Sequence, residues 1–262
     1  MERPISIAIE TSSRAGGVAL GRGGELLQAL RFDASSRHAT QLVVRLDELL
    51  RGAGLPPRTG AGLRLRDVAE LYVSCGPGSF TGLRVGITVA RTLAQMSPSL
   101  RVVAVPTIQA VAENARDLPW RRLGVVMDYK DGEVYAMTVG RATALHAEPG
   151  GCAITRATSP TGRQAGCTPY ENFGPALIRP EDFLARAPRP LLLIGEALEF
   201  VRMEAEGVTL CPPELNLPTP EGVWRVGRRL AEAGQFIDYR KLLPLYTRKP
   251  EAVRLWEKLG RA

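Results

Sequence analysis

Between Ile5 and Phe32 the chain passes through three short segments rich in apolar residues, Ile5–Glu10, Gly16–Leu20 and Glu25–Phe32, parted by glycine-rich turns at 15–17 and 21–24. Short apolar runs bounded by turn formers read as β-strands, and three in succession predict a meander. The period then changes. From Arg37 to Ala53, Leu42, Leu46, Leu49, Leu50 and Ala53 recur at helical spacing, with Arg45, Asp47, Glu48 and Arg51 on other faces. A strand at Leu71–Cys75, a helix at Gly82–Met96, a strand at Val102–Val105 and a helix at Ile108–Ala115 follow. A meander that feeds alternating strands and helices predicts an α/β lobe over residues 1–120.

Past Pro119 the pattern restarts. Leu123–Lys130 and Glu133–Val139 flank Asp131-Gly132, a dipeptide that accepts positive φ at both turn positions, so a hairpin is expected. A smaller second lobe over 121–262 should add a strand at Leu191–Ile194 and helices at Ala197–Glu206 and Pro220–Ala233. Residues 141–190 show no clear period, and Pro56–Arg66 reads as a surface loop.

Composition narrows the function classes. At 262 residues and 45% hydrophobic content the chain can bury one sizeable core or two modest ones. The apolar run Ile5–Ile9 is too short for a signal peptide, and no stretch approaches the roughly 20 apolar residues of a spanning helix, so the cytoplasm is the expected location and no membrane role is expected. The cysteines Cys75, Cys152, Cys167 and Cys211 form no CxxC pair, which signals neither a disulfide framework nor a zinc site. His38 and His146 are the only histidines and are not paired at helical spacing, so neither a metal site nor a catalytic residue is assigned. A net charge of +7 would suit a nucleic-acid partner, but the arginines are spread along the chain as in a solvated basic surface.

The most distinctive run is Cys75-Gly76-Pro77-Gly78-Ser79-Phe80-Thr81-Gly82-Leu83-Arg84-Val85-Gly86, between a strand and a helix. Backbone amides at such a turn can hold an anion, which makes Gly76, Gly78, Ser79, Thr81 and Gly82 a candidate phosphate loop. The bland alternative is a tight turn capped by Ser79 or Thr81. A P-loop is excluded because Leu83 follows Gly82, a dinucleotide fingerprint because its third glycine is one place late, and a nucleophile elbow because Pro77 stands where glycine is needed. The helix after the turn carries Leu83, Ile87, Ala90 and Ala94 on one face and Val85, Val89, Leu93 and Met96 on another. Apolar over most of its circumference, it is either sandwiched inside the domain or covered by a partner. Gly82, Gly86, Ala90 and Ala94 form a row of small residues that lets another element approach.

The stretches Ile7–Ser12, His38 with the helix after it, Gly76–Gly86, Met127–Tyr135 and Pro244–Arg248 resemble, in order, the signature stretches of the TsaB (YeaZ) family, and the resemblance covers most of the chain. It implies the two-lobed α/β fold shared by actin, Hsp70 and sugar kinases (the ASKHA fold), with a degenerate second lobe. It also implies a non-catalytic scaffold that pairs with the catalytic subunit TsaD, works with the ATPase TsaE, and supports threonylcarbamoyl transfer to the tRNA adenosine beside the anticodon. ATP and a metal would belong to the partner subunits, and tRNA would be reached through the complex. By the same resemblance the helices at Arg37–Ala53 and Gly82–Met96 form the partner interface, with His38, Leu42, Leu46, Val85, Val89 and Leu93 as its candidates. Thr11 and Ser12 join the candidate phosphate loop, although Glu10 stands where the fold places aspartate, Tyr129-Lys130 replaces a commoner Ala-Arg, and Pro56–Arg66 looks inserted.

Three rivals are weaker. A small-molecule kinase or ATPase of this fold needs an adenine pocket that residues beyond 140 do not supply, and a peptidase needs a nucleophile and base or a metal. The apolar helix face would also serve a homodimer when the partner is absent.

Overall fold

The structure, a computed structural model, describes residues 3–32, 38–52, 63–140, 174–247 and Trp256. Strands β1 (Ile5–Glu10), β2 (Gly16–Arg22) and β3 (Glu25–Phe32) form the expected meander. Helix α1 (His38–Gly52) leads to β4 (Glu70–Gly76), helix α2 (Phe80–Met96) to β5 (Arg101–Pro106), and the short α3 (Thr107–Ala112) follows. The strands assemble a five-stranded sheet in the order β3-β2-β1-β4-β5, antiparallel within the meander and parallel from β1 through β4 to β5.

Alternation along the strands sorts the side chains to two faces. Ile7, Ile9, Leu71 and Val73 meet Leu42, Leu46 and Leu49 of α1 and Ile87, Ala90 and Ala94 of α2. Ala8, Ala19 and Tyr72 point the other way, onto Val223, Trp224 and Val226 of helix α5 (Pro220–Glu232). Each fully buried leucine or isoleucine in such a layer contributes about 2 kcal/mol.

A second five-stranded sheet contains β6 (Arg122–Lys130), β7 (Glu133–Gly140), β8 (Ala176–Ile178), β9 (Leu191–Ile194) and β10 (Val208–Leu210), in the order β10-β9-β6-β7-β8. The β6–β7 turn pairs Lys130 with Glu133 and holds Asp131 at φ 54 and Gly132 at φ 80, the conformation read from the dipeptide. One face of this sheet packs on Ile108 and Val111 of α3. The other packs on Phe183 of helix α4 (Pro180–Arg186).

Two sequence expectations are corrected. The helix at Ala197–Glu206 reduces to a 3-10 turn at Glu196–Glu199, and an irregular course beyond it buries Met203 in the second core. The helix beginning at Pro220 forms, but it lies on the first sheet instead of completing the second lobe. Trp224 Nε1 donates to Ser6 Oγ at 2.8 Å, which fixes α5 to β1. Asn114 Nδ2 donates to the carbonyls of Leu215 and Leu217 at 2.8 and 2.7 Å and guides the chain back across. The span 121–262 therefore supplies the strands of the second sheet and a helix that packs on the first. Most of the 56–66 loop, and residues 141–173 of the illegible segment, lie outside the described residues.

Candidate functional site

The C-terminal ends of parallel strands are where α/β sheets bind ligands, and here β1 and β4 end side by side. β1 closes on Glu10 and runs into Thr11-Ser12-Ser13, all buried; β4 closes on Gly76 and runs into the turn that starts α2. The two loops bind each other. Ser79 N donates to Ser12 O at 2.6 Å, Gly76 N to Thr107 Oγ1 at 3.1 Å, and Gly82 N to Ser79 Oγ at 3.2 Å, which makes Ser79 the N-cap of α2. Thr11 N donates to Ser74 Oγ at 3.4 Å and Ser12 N to Glu10 Oε1 at 2.5 Å. A side chain at Gly78 would put its Cβ 2.2 Å from Ser12 O, and one at Gly82 would put it 1.9 Å from Thr11 O. The glycines are thus required by loop-against-loop packing.

The phosphate-loop candidates Thr11, Ser12, Gly76, Gly78, Ser79, Thr81 and Gly82 all lie in these two loops or at the start of α2. The structure brings these residues together, but the amides of Ser12, Gly76, Ser79 and Gly82 already serve protein acceptors, and Thr81 faces outward. Glu10 is fully buried, and burial pushes its carboxyl up to about 7, against the lowering effect of Ser12 and Ser74 and with the nearby Glu196 adding to the rise. Its Oε1 accepts from Ser12 Oγ at 2.6 Å, while Oε2 is buried without a hydrogen-bond partner.

The interface candidates divide. Leu42 and Leu46 are buried in the chain's own core, so a partner cannot reach them. Val85, Val89 and Leu93 are half-buried and pack on that core from its edge. The row Gly82, Gly86, Ala90 and Ala94 faces inward, and the element that approaches it is the loop after β1: a Cβ at Gly86 would lie 2.2 Å from Thr11 Oγ1. α1 begins at His38, whose side chain lies outside the described residues. The apolar side chains that α1 and α2 do expose are Val43 and Val44, each 57% exposed, Met96 at 71% and Phe80 at 50%. Phe80 stacks on Tyr246 with ring centroids 5.2 Å apart, and the Arg84 guanidinium lies 5.3 Å over its ring. Leu245 N donates to Cys75 O at 2.6 Å, so the 242–247 segment straps the start of α2. The stretch Pro244–Arg248 resembles a family signature in sequence, but nothing local reveals that Leu245 reaches Cys75.

Burial pushes the Cys75 thiol up to about 12 and Cys211 up to about 11, which keeps both protonated and poorly nucleophilic. Among the described residues no group of three or more His, Cys, Asp or Glu could hold a metal ion, and no helix is long and apolar enough to cross a membrane.

The family model for TsaD, tRNA N6-adenosine threonylcarbamoyltransferase, matches residues 32–160, just under half of the chain. The tRNA threonylcarbamoyladenosine biosynthesis protein TsaB of Bacillus subtilis is 29% identical over 49% of this chain and 52% of its own length. Its namesake from Escherichia coli is 32% identical over 49% and 52%. The chain thus matches about half the length of these curated relatives. A crystal structure from Pseudomonas aeruginosa, described as an uncharacterized protein with similarity to peptidase YEAZ, superposes with a TM-score of 0.68 at 23% identity, covering 94% of this chain and 100% of that one. YeaZ from the same organism superposes with a TM-score of 0.66 at 22% identity over 93% and 99%. These structures share the two-sheet fold across nearly the whole chain, and the curated proteins that it resembles over about half their length carry the TsaB name.

Proposed function

We propose that the chain is a scaffold subunit, without turnover of its own, of the complex that transfers threonylcarbamoyl to the tRNA adenosine beside the anticodon. The observation that carries this reading is the layer of α1 and α2. Its inner faces complete the core, while Val43, Val44 and Met96 remain in solvent on the outside. Single exposed apolar residues are ordinary on a surface, but these lie on two helices in mutual contact, with half-buried Val85 and Val89 on the same layer. Such a layer fits a helical partner surface, and the partner in this reading is TsaD, whose family model also matches this chain.

The closed loops at Glu10 and Gly76–Gly82 support assigning ATP and the metal to the partner subunits TsaD and TsaE, with tRNA reached through the assembled complex. The same layer serves a homodimer when TsaD is absent. The reading places the protein in the cytoplasm. Its test is threonylcarbamoyl transfer to tRNA from threonine, bicarbonate and ATP, with the partner enzymes of the same organism, run with and without this chain. Modification that depends on the chain, with no ATP turnover by the chain alone, supports the scaffold. Full modification without it rejects the scaffold, and ATP turnover by the isolated chain favours a kinase or ATPase.

A further inference from the structure

Glu10 is a buried acid that the proposed scaffold role does not use. One carboxyl oxygen takes both hydrogen bonds from Ser12, and the other is sealed from solvent with no partner. A neutral carboxyl tolerates that burial better than a carboxylate does, even with Ser12 and Ser74 beside it. Ionisation therefore favours movement of the loop after β1 that exposes Oε2 to solvent. That loop also reaches the second sheet: Arg14, four residues on from Glu10, makes a two-pronged ion pair with Glu199 in the turn after β9. The pair is partly exposed, and pairs of that kind hold weakly.

The geometry points to a proton-controlled clasp between the two sheets. With Glu10 neutral, residues 11–15 stay folded over its carboxyl and Arg14 holds Glu199; ionisation of Glu10 lifts the loop and releases the pair. The groups facing Glu10 agree with this. Glu196, on the same turn as Glu199, presents a like charge from the second sheet, and it acts on Arg14 as well. Cys75, at the end of β4, stays protonated through the relevant range, and β2 offers only Gly16 and Gly17 alongside. Nothing titratable among these neighbours opposes the opening.

The direction with pH follows from linkage. The open loop returns Glu10 to an ordinary carboxyl near 4.5, and the closed loop holds it at about 7. The open population is therefore lowest below pH 4.5, rises through the interval up to about 7 and levels off above it.

The experiment is amide hydrogen exchange on the full chain, with each rate divided by its intrinsic rate so that only opening is read. Between pH 6 and pH 8, protection at residues 11–16 and 196–200 should fall about tenfold, while the centres of β4 and β5 hold steady. Glu10→Gln, which keeps the shape and removes the charge, should abolish that fall. Glu199→Gln, on the surface, should lower protection at 11–16 severalfold already at pH 6. An unchanged wild-type protection, or a fall that persists in Glu10→Gln, overturns the proton control. Unaltered protection in Glu199→Gln at pH 6 overturns the clasp.

Discussion

Two regions of the first sheet differ in opposite senses from their appearance in the sequence. The turn Gly76–Gly82 has the composition of a ligand loop, yet Ser79 N is taken by Ser12, Gly76 N by Thr107 and Gly82 N by Ser79, while Gly78 and Gly82 lie against the loop after β1. The helices α1 and α2 read as amphipathic packing elements, yet their outer surface leaves Val43, Val44 and Met96 in solvent. Glycine in a loop thus has two sources, the approach of a ligand and the approach of the chain itself, and only the position of Thr11 and Ser12 distinguishes them. An amphipathic helix likewise has two apolar sectors here, and what covers each decides which is structural.

The sharpest test of that division lies within α1. Leu42 is wholly buried between α1 and the sheet, so Leu42→Ala should lower stability by about 4 kcal/mol through lost burial and the cavity left behind. The urea midpoint would fall accordingly, and a loss below about 1 kcal/mol would return Leu42 to the interface candidates. Next in size is Gly82→Ala. Its Cβ would meet the backbone carbonyl of Thr11, which cannot swing aside as a side-chain tip would, so a loss of about 3 kcal/mol is expected. If Gly82→Ala were neutral by the same measurement, the two loops would not be packed as closely as the structure has them, and room for a ligand would return.

Regular period made much of the fold legible. The meander, the strands at Leu71 and Val102, the Asp131-Gly132 turn and the double-faced helix all follow from residues near one another in sequence. What stayed hidden depends on distant partners. Ser12 lies two residues from Glu10, but Glu196 and Glu199, which complete its surroundings and the clasp, come from the second sheet. α5 reads as an amphipathic helix wherever it packs, and its seat on β1 is set by Ala8 in the cluster with Val223 and Trp224 and by the Trp224–Ser6 hydrogen bond. Leu42 and Val43 are equally apolar neighbours, and only the position of the sheet makes one of them core and the other surface.

The site at Glu10 also sets a pH dependence of global stability. Its folded-state carboxyl is raised from 4.5 to about 7, so the folded protein binds this proton more tightly than the unfolded chain. The stabilisation is fully present below pH 4.5 and is lost as pH rises to about 7. At 1.36 kcal/mol per unit, wild type should lose up to about 3 kcal/mol relative to Glu10→Gln across that interval, less whatever the lifting of the loop relieves. Urea unfolding of both proteins at pH 5 and pH 8 reads the difference. Parallel behaviour would mean that Glu10 is solvated in the folded protein, and the contrast between a filled loop and an open helix face would lose its first half.

The second half rests on the smallest effect. Val44→Glu and Met96→Glu place a charge on side chains that are already more than half exposed, so each should change folding stability by less than about 0.5 kcal/mol. If the outer layer of α1 and α2 receives TsaD, the same substitutions bury an unpaired carboxylate in the complex and should weaken association by about 2 kcal/mol, close to thirtyfold. Val85→Glu is a poorer probe, because half-buried Val85 packs on the core and its loss would mix folding with binding. Titration calorimetry with the catalytic subunit, paired with urea unfolding of each variant alone, separates the two quantities. Unchanged affinity in both variants would mean that the exposed valines and methionine are ordinary surface, and the partner surface would have to be sought elsewhere, first at Phe80, Leu245 and Tyr246 beside the start of α2, where apolar side chains are also exposed.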